Sequence, residues 1–336
     1  YLVWREMLTW REPTTSAQNV MGRRFSPLDE KLQLREDHWS ESAARVITRQ
    51  GLREPSFELA AEAYIDAVGG SISGSSVRRV TQGFGRQLAK QKEQEAERAM
   101  AFGPVDERQD ARRVALENPI SGVGNVSTDG TMVLIREEGW KEVKLAAFSH
   151  AEVLEPDSEK RRQAQRKGKR GQKDVVRLSQ HSYCVGLCDA DTFAPYQYAE
   201  GLRRGFDLLE QPTSVNDGAL WIERITKMNF PKATQITDWT HSTQRLWAVG
   251  NAIYGEGKQE TAAWVERRKD ELWTGQVSQV IQELNRLNLG RDSYPDIVQQ
   301  APGYFDNRRK QMQYDEFRAE GYPLGSGTVE SAAGNV

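Results

Sequence analysis

Cysteine and long apolar runs are both scarce in this sequence. Two cysteines in 336 residues cannot build a disulfide framework, which favours a reducing compartment. The longest apolar runs are only a few residues, so we expect no segment that crosses a bilayer. The chain also opens without the charged and apolar pattern of a signal peptide. We therefore expect a soluble cytoplasmic protein with no membrane partner.

An excess of charge of either sign is also missing, because 46 Lys and Arg face 48 Asp and Glu. Total charge therefore neither favours nor excludes a nucleic-acid partner, and the distribution of charge must decide. Residues 159–173 hold eight basic residues and one acid. A segment with so little apolar surface stays solvated, either as a plain linker or as an arm that contacts DNA phosphates. The basic side chains that would make those contacts are Arg161, Arg162, Arg166, Lys167, Lys169 and Arg170.

The middle of the chain alternates between strand and helix patterns, and its length suggests about two domains in all. Three strand-like runs come first, at residues 125–136, 140–153 and 182–188. A helix at 192–204, a strand at 213–216, a helix through Ile222 and Ile225, and a strand at 233–237 follow. The order β-β-β-α-β-α-β predicts an α/β fold with a mixed sheet and helices on its faces.

Residues 239–322 have a helical pattern instead. Within this region, helices are expected at 261–272 and 305–320, and one apolar face falls at helical spacing on Val277, Val280, Ile281, Leu284 and Leu287. Four tryptophans also lie here, at Trp239, Trp247, Trp264 and Trp273. They serve either as core residues or as surfaces on which an unpaired base stacks.

Two short helices around Gly69 and Gly70 are expected upstream of the sheet, at residues 57–67 and 75–88. Their shared apolar face would consist of Leu59, Tyr64, Ile72, Val77, Val80 and Phe84. The spacing is that of a helix-turn-helix, whose second helix would offer Arg78 and Arg79 to DNA. A plain helical hairpin that binds nothing has the same pattern.

Four acidic positions could carry chemistry, and each also has a simpler structural interpretation. Asp129 lies inside the first strand, although Asp-Gly can form a hairpin turn. Asp217 ends the fourth strand, where it could belong to a site or cap the next helix. Glu330 is expected in the first turn of a helix, as a ligand or as a capping residue. Asp238 and His241 could support a site or form a structural pair.

Five segments together resemble the DDE transposases of bacterial insertion sequences, closest to the Kra-type group of the Mutator-like superfamily. They are VSTDGTMV with GWKEVKLAAF, NDGALWI, ITDWTHSTQRLW, and YFDNRRKQMQYDEFRAEGYPLGSGTVES. The resemblance runs from residue 119 to the end. It implies an RNase H-like mixed sheet with an all-α insertion before the helix that carries the catalytic Glu, and a helix-turn-helix-like region upstream.

The same resemblance implies the site and its chemistry. The catalytic, metal-holding residues would be Asp129, Asp217 and Glu330, with Asp238 and His241 in support and Asp238 as the other choice for the second Asp. Two Mg²⁺ ions, which Mn²⁺ could replace, would assist cleavage and strand transfer of DNA. The partners would be double-stranded DNA, as terminal inverted repeats and target, and a second copy of the chain. The bound protein would be associated with the nucleoid.

We predict four regions on this basis. Residues 1–50 form an N-terminal arm, and 51–118 form the helix-turn-helix-like region with a charged connector. Residues 119–238 and 326–336 form the catalytic domain, which we expect to be truncated at its C-terminus, and 239–325 form the helical insertion. The alternative functions are a catalytically silent DNA-binding regulator or domesticated relative, and an RNase H-like nuclease without a joining step.

Overall fold

The computed structural model describes residues 39–101, 116–154, 176–289 and 294–334, and the backbone of two short paired strands, β1 (Ala17–Gln18) and β2 (Arg24–Phe25). The six basic residues predicted at 161–170 lie outside these ranges. The chain divides into two compact units, Tyr1–Gln94 and Glu95–Val336. No helix in the described ranges is both long and apolar enough to cross a membrane.

Three helices make up the described part of the first unit: α1 (Glu41–Arg53), α2 (Phe57–Val68) and α3 (Gly74–Ala101), the last of which continues into the second unit. Their shared core includes Ile47, Tyr64, Val77 and Val80. The predicted boundary at residue 50 lies inside α1. The prediction that Leu59 belongs to the apolar face is wrong, since this side chain is 45% exposed. The small buried residues Ala60 and Ala61 face the core instead and leave Leu59 outside.

A five-stranded mixed sheet forms the centre of the second unit, which confirms the predicted class. Its strands are β3 (Val123–Ile135), β4 (Gly139–Val153), β5 (Val176–Gly186), β6 (Gln211–Asn216) and β7 (Thr234–Thr237). They lie in the order β5-β4-β3-β6-β7. Strands β3, β4 and β5 pair antiparallel, whereas β3, β6 and β7 pair parallel. The crossovers between the parallel strands contain α4 (Ala190–Arg203) and α5 (Leu220–Asn229).

Strand β5 ends two residues before the predicted position. The prediction took the strand to Cys188, but Asp189 accepts a hydrogen bond from the Thr192 amide at 2.8 Å and caps α4. The chain must therefore leave the sheet before Asp189, and it does so after Gly186.

The region after β7, residues 239–325, is helical as predicted. Its helices are α6 (Trp239–Tyr254), α7 (Gln259–Trp273), α8 (Val277–Asn288), α9 (Asp296–Gln299), α10 (Ala301–Asn307) and α11 (Tyr314–Ala319), and a last helix, α12 (Gly327–Ala333), follows it. The predicted single helix over 305–320 is wrong. Met312 and Tyr314 are both fully buried, and residues two apart cannot share one face of a continuous helix. A short 3₁₀ turn at Arg309–Gln311 separates α10 from α11.

The two faces of the sheet carry different elements. Val126 and Phe148 pack on Phe193 and Ala194 of α4 on one face, whereas Leu145 and Ala147 pack on Val329 of α12 on the other. Successive residues of a strand point to opposite faces. Asp129 pairs with Leu145 in the sheet register, so its side chain lies on the α12 face.

Candidate active site

Asp129 lies within a continuous strand and not in a turn. Strand β3 runs past it to Ile135, and the hairpin turn falls at Glu137 and Glu138, as the sequence indicated. The Asp129 side chain is half-buried, and its Oδ1 accepts a hydrogen bond from the Gly130 amide at 2.8 Å. A carboxylate on an inner strand is costly unless a cation or hydrogen-bond donors compensate it.

The register of the parallel strands brings two further carboxylates into line with Asp129. In the β3–β6 pairing, Val126 lies opposite Ser214, and the Thr128 amide donates to Asn216 Oδ1 at 2.7 Å, so Asp129 and Asp217 are the next residues along their chains. In the β6–β7 pairing, Asn216 lies opposite Thr237, and Asp217 and Asp238 directly follow these two strands. Neighbouring strands are about 4.8 Å apart. The three aspartates therefore form a row at the carboxyl ends of β6 and β7.

Helix α12 brings Glu330 to this row from above the sheet. The helix contacts both β3 and β4, and Val329 is its buried anchor. Glu330 Oε1 lies 2.9 Å from the Ser326 hydroxyl oxygen and 3.2 Å from His241 Nε2. The Glu330 side chain remains 44% exposed, so one side of the carboxylate is open to a ligand.

The electrostatic environment of Asp129 includes the charges of the other two carboxylates. Burial raises the pKa of the Asp129 carboxyl, and the negative charges of Asp217 and Glu330 raise that pKa further. The Gly130 amide and His241 act in the opposite direction. Three carboxylates that repel one another in a partly desolvated site would be stabilised by a cation.

Asp238 has a different environment from the other two aspartates. It is 1% exposed, and both of its oxygens are already occupied. Oδ1 accepts from the His241 amide at 3.0 Å and caps α6, while Oδ2 accepts from the Ser326 amide at 2.5 Å and from the Ser326 hydroxyl at 2.9 Å. Asp238 thus ties α6 and the start of α12 to the end of β7.

Two overlapping sets of ligands could hold a metal ion. Asp238, His241 and Glu330 offer ligand atoms that all lie within 4.8 Å of one another. The charges of Asp217 and Glu330 also act on Asp129. The ligand atoms of these three residues do not form a second group within 4.8 Å of one another among the described residues. The two sets differ in their hydrogen bonds, because Asp238 accepts from the His241 and Ser326 amides, whereas Asp217 Oδ1 accepts from the Ala219 amide at 2.8 Å.

The structure adds residues that the sequence did not single out. Ser326 bridges Asp238 and Glu330, and the Gly-Ser-Gly pattern around it was the only signal. Arg308 donates a hydrogen bond to the Gly218 carbonyl, directly after Asp217. Gly218 has φ +91°, and a Cβ there would lie 2.5 Å from Arg308 Nε. No sequence pattern indicated that Arg308 would contact this loop.

The predicted DNA-contacting residues of α3 lie on the outside of its helix cluster. Arg78 and Arg79 are exposed, and they stand between Val77 and Val80, which are buried. The two arginines are therefore accessible for phosphate contacts, while their neighbours hold the helix in place.

The tryptophans of the helical region mostly pack inside it. Trp239 and Trp264 pack against the core of that region, and Trp239 lies edge-on to Trp273 with ring centroids 4.9 Å apart. Trp247 is 37% exposed. A comparison with protein-family models finds none that matches this chain, and a comparison with curated proteins finds no match either.

Proposed function

We propose that the chain is a DDE-type transposase that cleaves and joins DNA with two divalent cations. The observation that carries this proposal is that Asp129 on β3, and Asp217 directly after the neighbouring parallel strand β6, lie beside the helix that carries Glu330. The strand order β5-β4-β3-β6-β7, with its antiparallel and parallel halves, is consistent with an RNase H-like core. A helical region between β7 and α12 fits the insertion implied by the resemblance.

The donor set suits hard cations. Asp129, Asp217 and Glu330 supply carboxylate oxygens, which Mg²⁺ and Mn²⁺ prefer. When bound, such cations would activate the attacking oxygen and neutralise charge on the leaving oxygen of an in-line displacement. Burial raises the pKa of the Asp129 carboxyl, and the charges of Asp217 and Glu330 raise it further, so a bound cation would offset both effects.

The chain's own residues prepare this site in two ways. Ser326 Oγ lies 2.9 Å from both Asp238 Oδ2 and Glu330 Oε1, so its one hydroxyl proton can be donated to either carboxylate and the hydroxyl keeps Glu330 close to the sheet. His241 Nε2 lies 3.2 Å from the same Glu330 oxygen and limits the positions that this carboxylate can adopt. Fixed positions of this kind reduce the reorganisation needed when charge develops during the reaction.

Metal-dependent nicking of supercoiled plasmid tests the proposal. We expect the chain to nick DNA with Mg²⁺ or Mn²⁺ and not with EDTA. Asp129→Asn, Asp217→Asn and Glu330→Gln should each abolish nicking, while DNA retention in a gel-shift assay survives. Asp306→Asn is the matched control, because Asp306 is an exposed carboxylate paired with Arg309.

The alternative function is a catalytically silent DNA-binding protein, and the exposed Arg78 and Arg79 on α3 are the observation that favours it. DNA retention without metal-dependent nicking in the unaltered chain would support this alternative. Nicking that persists in Asp129→Asn would remove that residue from the site. Nicking without joining of a 3′-hydroxyl end would instead favour a plain nuclease. The terminal repeats and the homodimer remain proposals that such joining assays would address.

A further inference from the structure

Two arginines of the helical region flank one tyrosine ring beside the candidate site. The guanidinium carbon of Arg245, on α6, lies 5.1 Å from the ring centroid of Tyr304, and that of Arg308 lies 4.4 Å from it. Both distances are within the range of cation–π contact. Arg308 also donates to the Gly218 carbonyl, and the charge of Asp217 acts on the Tyr304 hydroxyl. The arginine pair, Arg245 and Arg308, therefore lies next to Asp217.

Neither arginine has a carboxylate partner within the described part of the chain. Other arginines of the helical region are paired, as Arg286 is with Glu283 and Arg309 is with Asp306, each at 2.8 Å. The Nε atoms of Arg245 and Arg308 are both buried without a hydrogen-bond acceptor. A guanidinium that is partly desolvated and lacks an anion is unfavourable, so this pair would gain from a bound anion.

We propose that Arg245 and Arg308 bind a phosphate of the DNA strand next to the phosphate held at Asp129, Asp217 and Glu330. The inference rests on the proposed function, since it gives the substrate of that site a second contact. Tyr304 keeps the two guanidinium groups on its ring. Arg308, fixed by its bonds to the Gly218 and Tyr304 carbonyls, sets the position of the positive charge relative to Asp217.

The sign of its charge explains why the arginine pair would bind DNA. The carboxylates of Asp129, Asp217 and Glu330 repel a phosphodiester unless cations neutralise them, whereas the arginine pair attracts one directly. Arginine forks also match phosphate oxygens with two parallel hydrogen bonds. Arg245 donates no hydrogen bond to any residue that the structure describes; its Nε is buried, but its two terminal nitrogens are not among the buried unpaired atoms and are available to such a ligand.

The salt dependence of DNA binding tests this inference apart from catalysis. The probe is a fluorescein-labelled DNA duplex, and its anisotropy is measured over a range of KCl concentrations, once in EDTA and once in CaCl₂. The logarithm of the binding constant falls with the logarithm of salt concentration, with a slope of about −0.9 for each phosphate contact. In CaCl₂, we expect the slope for Arg245→Gln to be shallower by about 0.9, which corresponds to the loss of one phosphate contact.

Two further variants separate the phosphate contact from a structural role. Arg308→Gln should also lose about one contact, whereas Arg308→Lys, which retains the charge, should recover most of the slope. Arg309→Gln is the matched control, because Arg309 is the next residue and is already paired with Asp306. It should leave the slope unchanged. Thermal unfolding of each variant shows whether it remains folded under the assay conditions.

The outcomes distinguish this inference from the proposed function. Slopes of Arg245→Gln and Arg308→Gln that equal the slope of Arg309→Gln would overturn the inference, even if the chain nicks DNA. Shallower slopes in a chain that never nicks DNA would support the arginine contact and refute the transposase proposal. The inference would also be overturned if Arg308→Lys failed to restore the slope and Arg245→Gln left the slope unchanged. Arg308 would then only support the Gly218 loop.

Discussion

Replacement of Asp238 by Asn should damage the fold, whereas the same replacement at Asp217 should damage only the chemistry. Both aspartates end neighbouring parallel strands, and the resemblance left both as choices for the second catalytic Asp. Their surroundings differ, because Asp238 is 1% exposed and accepts three hydrogen bonds. Asp217 is half-buried and accepts one, from the Ala219 amide.

The magnitude follows from those hydrogen bonds. In Asp238→Asn, the best orientation of the new side-chain amide keeps its oxygen on Ser326 and turns its NH₂ group toward the His241 amide, where a donor then faces a donor. One hydrogen bond to a charged acceptor is lost, and a buried donor is left unsatisfied, which together cost about 3 kcal/mol of unfolding free energy. In Asp217→Asn, the side-chain oxygen can still accept from the Ala219 amide, so that variant should change by no more than about 0.5 kcal/mol.

Urea unfolding in EDTA, followed by tryptophan fluorescence, measures both changes. Trp239 directly follows Asp238, and its ring lies against Trp273 and Tyr314, so the signal reports on the region in question. Mn²⁺ titration by calorimetry then tests cation binding in the folded variants. If Asp238→Asn unfolds at the wild-type midpoint, or if Asp217→Asn is the less stable of the two, the assignment of Asp238 as a positioning residue is refuted.

Two other consequences can be measured on the same protein, and a third concerns the loop after β6. A cation at one hundred times its Kd should stabilise the chain by about 2.7 kcal/mol, and Asp129→Asn should lose this stabilisation in a thermal melt. An equal shift in the unaltered chain and in the variant would place the cation elsewhere. Without metal, the raised pKa of Asp129 means that the folded state holds this proton more tightly than the unfolded chain. The free energy of unfolding should therefore fall as pH rises above the ordinary Asp pKa of about 4, and Asp129→Asn should reduce that fall. Gly218→Ala should cost about 1 kcal/mol or more, because its φ of +91° disfavours a Cβ and Arg308 Nε would be 2.5 Å away; an unchanged melting temperature would contradict the close approach.

Local patterns predicted the elements of the second unit well, because each has a strong short-range signal. Strands β3 and β4 follow from two strand-like runs on either side of a charged turn, and α8 follows from an apolar face that is wholly buried. The boundaries were less accurate where a distant requirement intervened. Capping of α4 by Asp189 ended β5 at Gly186 rather than Cys188, and the joint burial of Met312 and Tyr314 divided the helix expected over 305–320.

The sequence alone placed Asp129 on a strand, Asp217 and Asp238 after strands, and Glu330 at the start of a helix. Those placements depend only on neighbouring residues and on turn chemistry. The sequence could not decide which aspartate remains available for a ligand, since that depends on where Ser326, 88 positions away from Asp238, donates its hydrogen bonds. Only the packing of α12 on β3 and β4 determined this, as tertiary packing also determined the contact of Arg308 with the Gly218 carbonyl. Hydrogen bonds and charges across such separations depend on tertiary contacts, and no local periodicity records them.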